Sequence, residues 1–99
     1  MDKAEVIEIL RRYKELLSKH IDFESLILFG SYTRSSQRED SDIDVAVVVD
    51  EMSGDYFETR PILWKISREV DDRIEPVILE KKHDASGFLE EVMRSGIVI

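Results

Sequence analysis

Cysteine is missing from all 99 residues, so neither a disulfide framework nor a thiolate metal site is available. That composition fits a reducing, cytoplasmic setting. Only two histidines occur, His20 and His83, widely separated in sequence. Neither is expected to bind metal, and none is placed to serve a Ser/His/Asp triad. No apolar run approaches the roughly 18 residues of a membrane span, and MDKAEVIEIL lacks the basic-then-apolar layout of a signal peptide. A membrane role is therefore not expected. Basic residues are also in deficit, 14 against 22 acidic ones, for a formal net charge of −8. Such a surface repels a bare phosphate backbone, so direct nucleic-acid binding is not expected. A phosphate ligand would need a divalent cation beside it, and an acidic face suits a basic protein partner.

What is present is 42% apolar residues in a length that makes one domain, 1–99, with a single modest core. In AEVIEILRRYKELLSKH the apolar residues Val6, Ile9, Leu10, Tyr13, Leu16 and Leu17 recur at helical spacing behind Asp2, a candidate N-cap. This predicts a helix over about 3–20. SLILFG reads as a buried strand near 25–29, stopped by Gly30. A short helical turn over Ser31–Arg34 and a polar loop over Ser35–Ser41 follow. DIDVAVVVD is a Val-rich buried strand, and DEMSGDYFETR a loop or lid. Pro61 suits the first turn of a helix, PILWKISREVDDR, on which Trp64 is a packing residue. On the same helix, Lys65 and Arg68 are expected to pair with Glu69 or Asp72. IEPVILE is a third strand, whose Pro76 argues for an edge position or a bulge. A last short helix turns Phe88, Leu89, Val92 and Met93 inward and ends at Gly96. IVI at the end is an edge strand or a partner contact. The order predicts an α/β fold, a small mixed sheet of about three to four strands flanked by helices.

Three polar features interrupt the strands: Gly30-Ser31 after the first, Asp42 and Asp44 opening the second, and Glu75 near the start of the third. Period two points both aspartates to one face, about 6–7 Å apart. If the second strand runs antiparallel to the first and parallel to the third, all three features share one sheet edge. Taken singly, each has a plain reading: a strand-ending turn, capping aspartates, a solvated glutamate before Pro76. Together, carboxylates so close call for a cation. Oxygen-only ligands suit Mg²⁺, and two such ions would clamp both oxygens of a displacement at phosphorus. Gly30 lets a phosphate approach the backbone, and Ser31 opens a turn whose free N–H groups attract anions. Glu75 can bridge a metal or take a proton from an incoming hydroxyl. These residues fit phosphoryl or nucleotidyl transfer.

Gly30-Ser31, ten residues, then Asp42-x-Asp44 resembles the GS-x10-DxD signature of the DNA polymerase β-like nucleotidyltransferases. The flanking apolar strands and Glu75, at the third acidic position, extend the likeness over about residues 3–95. In its shortness the chain is similar to the minimal nucleotidyltransferases of bacteria and archaea. The resemblance implies the polymerase β-like fold, Mg²⁺ held by Asp42, Asp44 and Glu75, and a triphosphate held by Gly30 and Ser31, with Arg34 on phosphate. Ser35 departs from the pattern, where Gly is usual. It further implies transfer of AMP from ATP to a tyrosine hydroxyl of a HEPN-domain partner, with the chain acting as antitoxin. Two other readings stay open: transfer to a small-molecule hydroxyl, as in aminoglycoside nucleotidyltransferases, and a non-catalytic module that neutralises a toxin by contact.

Overall fold

The computed structural model describes residues 2–30, 42–52 and 56–99. The first helix, α1 (Lys3–Leu17), begins where the Asp2 carboxylate accepts the Glu5 N–H at 2.9 Å, and it buries Val6, Leu10, Tyr13 and Leu17. It ends at Ser18, whose hydroxyl donates to the Glu15 carbonyl, and turns carry the chain through residue 20. Strands β1 (Ser25–Phe29) and β2 (Ile43–Val49) follow, then α2 (Tyr56–Val70) and β3 (Ile74–Glu80). After a 3₁₀ turn at Lys81–His83 come α3 (Phe88–Ser95) and β4 (Ile97–Val98). Among the described residues, no helix is long and apolar enough to cross a membrane.

These strands form one mixed sheet in the order β3-β2-β1-β4. β1 runs antiparallel to both β2 and β4, while β2 and β3 are parallel, joined by α2 as the crossover. β2 is central and is buried at every position but Asp44. Strand alternation splits its side chains between two clusters. Ile43, Val45 and Val47 pack with Val6, Leu10 and Tyr13 of α1 and Leu63 and Ile66 of α2. Ala46 and Val48 pack with Ile27 and with Leu89 and Val92 of α3. The Tyr13 hydroxyl donates to the Leu63 carbonyl at 3.0 Å and ties α1 to α2; burial holds the phenol proton on, well above its usual range.

The terminal IVI resolves as an edge strand, with the Ile99 N–H donating to the Leu26 carbonyl at 2.8 Å. Pro76 lies on the outermost strand in regular register with Val45, so the missing N–H costs the sheet nothing and no bulge is needed. Two expectations need correction. α2 begins at Tyr56, so Pro61 stands inside the helix, one turn beyond its start. There it withholds one intrahelical bond, and its ring faces solvent. On α3 only Leu89 and Val92 are buried, while Phe88 and Met93 are 42% and 54% exposed. A helix of eight residues lays a narrow stripe on the sheet, and residues at its margins stay out. Phe88 meets Phe29 edge-on, ring centroids 5.6 Å apart. The expected turn at Ser31–Arg34, the loop at Ser35–Ser41 and the Tyr56 side chain lie outside the described residues.

Candidate active site

The register carries one row across three strands: Phe29 faces Asp44, and Asp44 faces Glu75. Gly30 follows Phe29 directly, and Asp42 precedes β2. Asp44 shares a face with Ala46 and Val48, but α3 covers those two and stops short of the carboxylate end, where Asp44 is half-buried and Asp42 exposed. The sequence expectation that Gly30, Asp42, Asp44 and Glu75 share one sheet edge is met. Ser31, Arg34 and Ser35 lie outside the described residues.

Gly30 has φ +80°, a left-handed conformation that favours glycine. A Cβ built there would collide with Oδ2 of Asp44. The backbone thus lies close enough to the central carboxylate to leave no room for a Cβ. Asp44 itself is pushed above the ordinary aspartate range, first by burial and then by the negative charges of Asp42 and Glu75. Among the described residues, no three Asp, Glu or His side chains converge to enclose an ion unaided. Like charges without a counter-ion hold apart, and a hard cation such as Mg²⁺ draws much of its shell from water and phosphate. The donor set suits such an ion in kind, since it offers oxygens only.

The turn that delivers Glu75 is itself fastened. The backbone N–H, Nε and Nη2 of Arg73 donate to the Asp71 carboxylate at 2.9, 3.0 and 2.7 Å, which lowers the acidity range of Asp71. The Arg73 carbonyl accepts the Ile43 N–H at 2.8 Å, joining this turn to the start of β2 between the two aspartates.

A cleft of about 480 Å³ wraps the start of β3 and is lined by Asp42, Asp44 and Glu75 together with Arg60, Leu63 and Trp64 of α2. Sequence reasoning passed over Arg60; Trp64 packs on the core as expected and also lines this cleft. Sequence reasoning paired Arg68 with Glu69 or Asp72, whereas its Nη2 lies 3.9 Å from Glu75 Oε1 and its guanidinium 4.8 Å from the Trp64 ring centroid. The available signal was the spacing: residues 60, 64 and 68 recur every four positions and share a helix face.

Comparison with known proteins shows what the chain is similar to. The family model described as "Polymerase beta, Nucleotidyltransferase" matches residues 11–99. Three proteins of Methanocaldococcus jannaschii, each named "Putative protein adenylyltransferase", are similar in sequence. One is 42% identical over 67 residues, 64% of this chain and 67% of that protein. A second is 38% identical over 66 residues, 67% of this chain and 60% of that protein. A third is 35% identical over 100 residues, 96% of this chain and 99% of that protein. A crystal structure of a "putative nucleotidyltransferase" from Sulfolobus solfataricus superposes with a TM-score of 0.69. It covers 97% of this chain and 80% of that one at 18% identity, a likeness of fold.

Proposed function

Because the chain belongs to the polymerase beta nucleotidyltransferase family and is a nucleotidyltransferase enzyme, we propose that it transfers AMP from ATP to a hydroxyl of a protein. The acceptor in this reading is a tyrosine of a HEPN-type partner in the cytoplasm, and the modification makes the chain an antitoxin. One observation supports it above the others: the row that sets Phe29, Asp44 and Glu75 side by side on adjacent strands, with Gly30 and Asp42 next to it in the chain.

In this reading Asp42, Asp44 and Glu75 would supply the oxygens for two Mg²⁺ ions, which would neutralise charge on the phosphates when bound. Gly30 leaves room for phosphate at the backbone, and Ser31 and Arg34 hold the triphosphate as the resemblance implies. Glu75 accepts the proton of the incoming hydroxyl. The hydroxyl oxygen bonds to the α-phosphorus, the bond to the β-phosphate oxygen breaks, and pyrophosphate leaves.

The test uses α-labelled ATP, Mg²⁺ and a HEPN-type protein. Label should enter the partner's tyrosine and should vanish with Asp42→Asn/Asp44→Asn. Tight binding and neutralisation that survive this variant, with no label transferred, would overturn the catalytic reading in favour of contact alone. Label entering an aminoglycoside instead would move the acceptor to small molecules.

A further inference from the structure

Glu75 sits on the outermost strand with its side chain 37% exposed. A glutamate in that position has three rotatable bonds and little to fix them, which is costly for a group that must meet a hydroxyl or an ion at one place. We infer that Arg68, braced on Trp64, is a positioning residue that holds the Glu75 carboxylate at the cleft. Its Nη2 faces Oε1 at 3.9 Å, which leaves Oε2 for the cleft that Glu75 lines. The guanidinium lies 4.8 Å from the Trp64 ring centroid, and Trp64 packs against the main core cluster. Residues 64 and 68 are one helical turn apart, so ring and guanidinium meet without distortion. The fixed body of the protein thus reaches Glu75 through two side chains in series.

The same numbers separate positioning from stability. An ion pair at 3.9 Å between side chains more than a third exposed contributes little to folding. Arg68→Gln should therefore leave the melting temperature within about 2 °C of the parent. This inference rests on the role proposed for Glu75, and the experiment keeps the two apart. In the labelling assay, Arg68→Gln should lower kcat about tenfold or more, with KM for ATP unchanged within about twofold. Trp64→Leu, which removes the ring, should approach Arg68→Gln. The double variant Trp64→Leu/Arg68→Gln should be no worse than Arg68→Gln alone, because both act through one arm.

A second readout needs no turnover. Trp64 is the only tryptophan, so the chain has one indole N–H resonance. Glu75→Gln should move it in the parent background and leave it unmoved in the Arg68→Gln background. An equal response in both backgrounds would overturn the brace. An undiminished kcat in Arg68→Gln, with Glu75→Gln inactive, would overturn the inference while the proposed function stands. A fully active Glu75→Gln would remove the role of Glu75, and the inference with it, while label transfer itself stands.

Discussion

Gly30 and Gly87 hold nearly the same left-handed conformation, φ 80° and 75°, in different surroundings. Alanine at either meets the same backbone penalty, about 1–2 kcal/mol. At Gly87 nothing lies within 4 Å of the added methyl, whereas at Gly30 it meets the Asp44 carboxylate. Gly87→Ala should therefore lower the denaturation midpoint and leave kcat intact, while Gly30→Ala should abolish label transfer. Asp44 carries a second expectation. Burial, with Asp42 and Glu75 behind it, raises its acidity range in the folded state, so the folded protein binds the proton more tightly than the unfolded one. Stability from this group is full below the ordinary aspartate range and falls as pH rises through the raised one. Asp44→Asn should melt higher than the parent at pH 7, and the gain should shrink in acid. Gly30, Asp42, Asp44 and Glu75 were legible because each marks the end of an apolar run. Arg60, which lines the cleft, and Arg68, which faces Glu75, were not, because both meet the site only when α2 lies along the outer strand.

At the scale of elements, the turn between α2 and β3 governs where Glu75 arrives. Asp71 is held below the ordinary range chiefly by its hydrogen bonds from Arg73, so its contribution to stability is present above the unfolded range and lost as pH falls through the lowered one. Asp71→Asn should destabilise by about 1 kcal/mol at pH 7, measured by denaturant midpoint, and the difference should close in acid, opposite in sign to Asp44. The strands followed from short apolar runs; their directions stood as a condition that the sheet meets. The start of α2 did not follow, because Pro61 reads locally as a first-turn residue although the helix tolerates it one turn later. Nor did the exposure of Phe88 and Met93, since an apolar stripe does not reveal how little of the sheet a short helix can cover.

For the whole molecule, a formal charge of −8 sets the terms on which a tetra-anionic nucleotide can approach. ATP with excess chelator should leave the melting temperature unmoved. Mg²⁺ with ATP at 100 times its dissociation constant should add about 2.7 kcal/mol, read as a thermal shift. The shift should disappear in Asp42→Asn/Asp44→Asn.

The row Phe29–Asp44–Glu75 has a further consequence. Strand pairing changes in whole residues, and one step of β3 along β2 would carry Glu75 to the opposite face, with Ile74 or Pro76 set beside Asp44. In its backbone register the site therefore has no half-slipped form. It works as a digital readout of strand alignment, and label transfer should vanish together with the sheet rather than ahead of it.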